Sequence, residues 1–259
     1  LEEDVAKSTH HSTYTTIDFN RAGTPLMEIV SEPDIDSAEE AVAYLNSLRQ
    51  ILVYSGVSDA DMEKGQMRCD VNISVRPKDE KELGTKIELK NLNSVSAVRR
   101  SLHYEVDRQV EELEAGNTII QATWRWNDEL GQTEIMRTKE DAHDYRYFPD
   151  PDLLPVRTSE ILTKVRKNLP ELPHQKVERF EKDYQITHYD ASVLASEQVL
   201  ADFYEKATQE ASSPKKVANW VINNLLAELN GREISIGECP VEADKIGRLV
   251  GLIESGQVS

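Results

Sequence analysis

At 259 residues the chain is long for one domain, and two domains, each able to bury a sizeable core, is the natural expectation. It carries 30 Lys+Arg against 47 Asp+Glu, a formal net charge of −17, which excludes a broad basic surface for non-specific nucleic-acid binding and leaves room only for a specific, locally basic contact. No apolar run reaches the roughly 18 residues a membrane helix needs, and the opening LEEDVAK is acidic where a secretory leader would be basic and then apolar. Cys69 and Cys239 form no C-x-x-C pair, so neither a disulfide framework nor a thiolate zinc site is indicated and a reducing compartment fits.

In chain order, YTTIDFN (14–20) alternates Ile17 and Phe19 with Asp18 and Asn20 and predicts a half-buried strand, followed by RAG turn chemistry at 21–23. TPLMEIVSEP then reads as a strand, nearly all apolar from Leu26 to Val30 but for Glu28. A lone carboxylate there is costly to bury unless it is paired or holds a metal ion; the plain alternative is that its side of the strand faces water. Ser37 with Glu40 forms a capping box for a helix whose predicted stripe is Ala41, Tyr44, Leu45, Leu48, Ile51 and Leu52, with Gly56 at C′.

The stretch from Met62 to Ser94 holds two alternating runs joined by the polar connection PKDEKELGT, long enough for an antiparallel return and too short for a helical crossover. Val71, Ile73 and Val75 oppose Asp70, Asn72, Ser74 and Arg76, and Ile87 and Leu89 oppose Lys86, Glu88 and Lys90. One face thus collects Asp70, Asn72, Arg76, Lys86, Glu88 and Lys90, as a solvated sheet face or a site would. Ser94 caps a second predicted helix with Val95, Val98, Leu102, Val106 and Leu113 on one face and Gly116 at its end; Arg99, Arg100 and His103 read as its solvated side. Residues 118–139 read as strand, turn and strand. EDAHDYRYFPDPDLLPV, dense in Pro, Asp and aromatics, reads as a linker or an ordered functional loop. After Pro170 the texture turns helical, with Pro173 and Pro214 placed as N1 prolines and Val217, Trp220, Val221, Leu225 and Leu229 as a core face. The expected fold class is therefore α+β: a largely antiparallel sheet with flanking helices over 1–170, then an all-helical domain over 171–259.

No P-loop, G-x-G-x-x-G, G-x-S-x-G or H-E-x-x-H pattern occurs, so covalent nucleophilic catalysis is unsupported. Oxygen ligands are what the chain offers: Glu2, Glu3 and Asp4 at the start, Glu28, and Asp70 with Glu88 on one sheet face. Convergent carboxylates that leave some waters in place suit Mg²⁺, which usually arrives with nucleotide phosphates, and Arg76, Lys86 and Lys90 stand ready to neutralise phosphate charge.

The segments LEED, DFNRAGTPLMEIVSEPD, RCDVNISVRP, GTKIELKNLNS and KEDAHDYRYFPDPDLLP, spread over residues 1–155, resemble the signature segments of the B subunit of the tRNA-dependent amidotransferases acting on Asp-tRNA(Asn) and Glu-tRNA(Gln). PELP and VANWV are similar to that family's second, helical domain. The resemblance implies a cradle-like kinase domain and an ATP- and Mg²⁺-dependent ligase working in a cytoplasmic heterotrimer with an amidase (glutaminase) A subunit and a small C subunit. Its substrates would be misacylated tRNA(Asn) and tRNA(Gln), with no membrane involved. The side-chain carboxylate is phosphorylated, and ammonia from the partner amidates it. Carried over residue by residue, the family's acidic positions fall on Glu3, Glu28, Asp70 and Glu88 as metal and phosphate ligands, the last three as the catalytic acids, with Arg21, Lys90 and Asn91 as contacts to phosphate or the tRNA 3′ end. The chain departs from the family's usual LEEDAGK at Val5 and Ala6, which removes a glycine from the loop carrying Glu3. The family also uses a Glu and a His from an N-terminal segment and a C-terminal tail domain, both expected to lie beyond this chain. Two competing readings are a non-catalytic scaffold that docks tRNA in the same type of complex, and another Mg²⁺-dependent carboxylate–amine ligase acting on free Asp or Glu.

Overall fold

A computed structural model describes residues 2–4, 6–138, 154–155 and 157–258, with Glu2, Glu3, Arg137 and Thr138 described for their backbone only. The protein is α+β. Of the segment 140–156, read from sequence as a linker or functional loop, residues 140–153 and 156 lie outside the described residues.

At the N-terminus β1 (Glu2–Glu3) pairs antiparallel with β4 (Pro25–Leu26), and β2 (Lys7–His10) with β3 (Thr15–Asp18). The strand predicted at 14–20 thus forms over Thr15–Asp18, but it is exposed on both faces, with Ile17 at 55% and Phe19 beyond it at 68%. The strand predicted through Glu28 stops at Leu26, and Glu28 follows on exposed irregular backbone. Among the described residues, Glu2 and Glu3 are the ones that pair across from this segment.

Helix α1 (Ala38–Tyr54) is capped by Ser37, whose Oγ accepts from Glu40 N at 3.1 Å; the Glu40 carboxylate reaches back one residue further than a standard capping box, to Asp36 N at 2.8 Å. Gly56 beyond it has φ +66°, the left-handed conformation that glycine accepts without strain. Of the predicted stripe, Leu45 is buried and Ala41 packs against the same core, while Tyr44 is exposed and Val42 and Tyr54 are buried in addition.

The central sheet has the order β5 (Cys69–Ile73), β6 (Ile87–Leu92), β7 (Ala122–Asn127), β8 (Gln132–Thr138). β5 and β6 are antiparallel, as the short polar connection requires, and so are β7 and β8. β6 and β7 are parallel, a departure from an antiparallel sheet that follows from the helix between them, α2 (Val95–Glu114), carrying the chain back across one face. Ile87, Leu89, Leu92 and Trp126 pack with Leu45, Ala97, Val98 and Leu102 into one core on that face. Val106 and Leu113, expected inside, are 41% exposed, and in their place α2 buries Ser101, Glu105 and Gln109. Glu105 Oε2 accepts from Thr133 Oγ1 on β8 at 3.0 Å, its carboxylate is gripped by Arg108, and Arg108 lies 4.4 Å over the ring of Trp124 on β7.

Beyond α3 (Ser159–Asn168), which has no buried residue, come α4 (Pro173–Tyr184), α5 (His188–Leu194), α6 (Gln198–Thr208), α7 (Pro214–Trp220), α8 (Leu226–Gly231) and α9 (Ala243–Glu254). Both N1 prolines hold. The long helical run over 191–210 is interrupted at 195–197 between α5 and α6, and a π-turn at Val221–Leu225 separates α7 from α8. Phe180, Leu194, Tyr204, Val217, Val221 and Ile246 belong to a second hydrophobic core. Outside both clusters, the buried Tyr54 hydroxyl at the end of α1 donates to Ala195 O, just after α5, at 2.8 Å. No described helix is long and apolar enough to cross a membrane.

Candidate functional site

With α2 behind the sheet, the alternation of side chains along β5, β6 and β7 sends Asp70, Glu88, Lys90, Thr123 and Arg125 to the opposite face. That face carries the strongest concentration of paired charge on the sheet. Lys90 Nζ lies 2.7 Å from Asp70 Oδ2 and 3.1 Å from Glu88 Oε1, so one ammonium bridges carboxylates from two strands. The other Glu88 oxygen, Oε2, accepts from Thr123 Oγ1 at 2.9 Å on β7. Partial burial works against the charge on Lys90, but hydrogen bonds to Asp70 and Glu88 outweigh it and hold its pKa above the usual lysine value. The neighbouring Cys69 thiol is pushed up to about 11 by burial and by the charge of Asp70, so it stays protonated.

The geometry originates in a β-bulge. Cys69 is paired with Leu92 and Val71 with Leu89, so Lys90 and Asn91 together oppose the single residue Asp70. The extra residue is accommodated by Asn91 at φ +65°, a left-handed conformation that Asn tolerates better than most residues. Its side-chain amide donates to Trp126 O at 3.0 Å, locking the bulge to β7. Bulges recur beside active sites because they re-aim a side chain, and here the bulge presents Lys90 to Asp70.

Of the predicted site residues the structure therefore brings together Asp70, Glu88, Lys90 and Asn91. Arg21 is tied to Asp4, which Arg68 also approaches at 3.7 Å one residue before β5. This docks the β1–β4 ribbon beside the start of the central sheet without adding Arg21 to the Lys90 cluster. Glu3 stands in β1 opposite Pro25, its side chain outside the described residues, and Glu28 is exposed after β4. Arg76 and Lys86 fall outside the strands, and Arg76 donates to Lys81 O in the connecting loop.

Sequence reasoning missed Thr123, which holds Glu88, and Arg125, whose Cα is paired in register with that of Lys90 and whose guanidinium binds Glu134 Oε2 at 2.7 and 2.9 Å. The signal was present in ATWRWN, where Thr123, Arg125 and Asn127 alternate with Trp124 and Trp126.

Among the described residues no group of three or more His, Cys, Asp or Glu is placed to hold a metal ion. Two carboxylates joined by a bridging cation do fit Mg²⁺, which is commonly bound through one or two carboxylates and keeps several waters. The donor set is all oxygen, as Mg²⁺ prefers.

Fold and site together define an α+β protein with a mixed carboxylate–cation centre on the open face of a bulged sheet. The chain belongs to the family described as the GatB/GatE catalytic domain, which it matches over residues 1–164, and it matches the GatB domain over residues 202–259. Its relatives include the B subunit of the aspartyl/glutamyl-tRNA(Asn/Gln) amidotransferase of Persephonella marina, 54% identical over 261 residues. The proteins of the same name from Methylacidiphilum infernorum and Elusimicrobium minutum are 56% and 50% identical. All of this chain is covered in each case but only 55%, 53% and 55% of those relatives, so the chain spans about half the length of the proteins it matches.

Proposed function

We propose that the protein is the carboxylate-activating part of the B subunit of a tRNA-dependent amidotransferase, with a cradle-like kinase domain over 1–170 and a helical domain over 171–259. The observation that carries this reading is the Asp70–Lys90–Glu88 bridge on the open sheet face. Family membership and the name its relatives bear supply the substrate class: Asp or Glu attached to tRNA(Asn) or tRNA(Gln).

In the proposed reaction a side-chain carboxylate oxygen of the aminoacyl-tRNA attacks the γ-phosphorus of ATP and ADP leaves. Ammonia, from a glutamine-hydrolysing A subunit in a complex that also contains a small C subunit, then attacks the acyl carbon; the acyl C–O bond breaks, inorganic phosphate leaves with the former carboxylate oxygen, and the nitrogen loses a proton to give the amide. A carboxylate is a poor electrophile, and phosphorylation gives it a leaving group. Mg²⁺ supplies charge neutralisation at the phosphates when bound. Asp70 and Glu88 are the residues that would hold it, and Glu3 and Glu28 are proposed as further acidic contacts from the N-terminal segment, outside the Lys90 cluster. Lys90 places positive charge where charge develops on the transferring group, and Asn91 fixes the bulge that aims it. Arg21 is proposed as a phosphate or tRNA-end contact on the ribbon.

The test uses the assembled enzyme carrying Glu28→Gln. Loss of tRNA-dependent ATP hydrolysis with glutaminase activity retained is the expected result; unchanged ATP hydrolysis would instead make this a docking scaffold. Turnover of free Asp or Glu without tRNA would assign it to another class of carboxylate–amine ligase.

A further inference from the structure

The ammonium of Lys90 stands where a divalent cation bridging Asp70 and Glu88 would stand, 2.7 and 3.1 Å from one oxygen of each. The Lys90 side chain is about one-third exposed and that of Asp70 about half, so water and ions reach the position. Glu88 is anchored by Thr123 and the backbone by the bulge, which leaves the lysine stem as the part free to move. Beside Lys90 on the parallel strand lies Arg125, held by Glu134.

We infer that Lys90 is a resident counter-cation which a divalent metal ion displaces, and that the displaced ammonium joins Arg125 in a two-cation seat for the phosphates that arrive with the metal. This rests on the nucleotide-dependent reading given above and deepens it by assigning Arg125 a role and Lys90 two positions. A dication and an ammonium cannot share two carboxylates a few ångströms apart without strong repulsion, so binding of one expels the other. Lysine suits the exchange: it is a compact charge on a flexible four-carbon stem, whereas an arginine would hold both carboxylates in a rigid fork. Charge stays matched at each stage. The carboxylates exchange one cation for another, and the released positive charge meets the incoming phosphate. Metal and nucleotide are therefore positively coupled, each favouring the displaced lysine.

The experiment uses the full-length protein with Mn²⁺ alone as the probe, read by the electron paramagnetic resonance signal of free Mn²⁺, and repeats each titration with ADP present. In the wild type ADP tightens Mn²⁺ binding. Lys90→Gln binds Mn²⁺ alone about five- to tenfold more tightly, since two partly exposed ion pairs no longer compete, and loses the tightening by ADP. Arg125→Gln still binds Mn²⁺ alone and also loses the tightening by ADP. Lys90→Met, which keeps the stem without the charge, repeats the test if the Gln variant does not fold. Unchanged or weaker Mn²⁺ binding in the Lys90 variants, with wild-type binding abolished by Asp70→Asn, overturns the exchange and leaves the metal site standing. No Mn²⁺ binding that depends on Asp70 in any variant removes both.

Discussion

Glu105 offers the sharpest test of how the sheet is held in place behind the site. Its carboxylate is fully buried on α2 and is satisfied by Arg108, by Gln109 Nε2 at 3.0 Å and by Thr133 Oγ1 at 3.0 Å. Glu105→Ala removes the counter-charge of Arg108, whose side chain is only 20% exposed and is stacked on Trp124, so the guanidinium has no easy route to solvent. Breaking a buried pair from one side costs about 3–5 kcal/mol, and the loss of the Thr133 partner adds to that cost. Replacing both members with apolar residues, Glu105→Leu with Arg108→Met, recovers most of this, because no charge is then left buried and unpaired. Trp124 and Trp126 flank the network, so tryptophan fluorescence during denaturant unfolding reports on it. A loss below about 1 kcal/mol in Glu105→Ala, or a double variant no more stable than the single one, would refute the assignment of Glu105 as the clamp between α2 and β8.

Tyr54→Phe deletes the hydroxyl that ties the end of α1 to the α5–α6 break and leaves Ala195 O without that donor; a loss of about 1–2 kcal/mol is expected, with faster amide hydrogen exchange around the α5–α6 break. Burial first, then the charges of Asp202 and Glu171, push the Tyr54 pKa up, so this bond persists across the ordinary pH range. At Gly247 an added methyl would run into Ala207 O, where α9 packs on α6, so Gly247→Ala costs about 1–3 kcal/mol in thermal or denaturant unfolding. Glu171 is lowered from 4.5 chiefly by its hydrogen bonds from Arg179; in Glu205, burial pulls the other way and is outweighed by Arg179 and Lys176. Depressed carboxylate pKa values stabilise the fold above the unfolded value and lose that effect as pH falls through the folded one. Stability should therefore decline below pH 4.5, and Glu171→Gln should flatten that decline in an unfolding series across acidic pH.

How far the sequence speaks depends on whether a local pattern or a tertiary pairing decides the outcome. Period-two alternation located β5 and β6 and assigned Asp70, Glu88 and Lys90 to one face, because one buried side enforces it. Caps were equally legible: Ser37, Ser94, Pro173, Pro214 and the glycines at 56 and 116 act through bonds and angles within a few residues. The parallel pairing of β6 with β7 was not legible, and with it Thr123 and Arg125 escaped notice, since nothing local states which strand lies alongside. On α2, Val98 and Leu102 face the core as the spacing predicts, but Val106 and Leu113 do not, and Ser101, Glu105 and Gln109 are buried instead through partners on β8 and on α2 itself, a network that hydrophobic spacing does not register. The bulge at Lys90 and Asn91 likewise depends on pairing with β5; the Asn at a left-handed position is its only local mark.

The central claim is that Asp70 and Glu88, drawn together by Lys90, serve phosphate activation of a tRNA-borne carboxylate. Its most direct test is tRNA-dependent ATP hydrolysis by the assembled amidotransferase carrying Asp70→Asn, with glutaminase activity followed in the same preparation. ATP hydrolysis reduced by about a hundredfold or more, with glutamine hydrolysis intact, is the predicted result. Wild-type ATP hydrolysis in that variant would contradict the account.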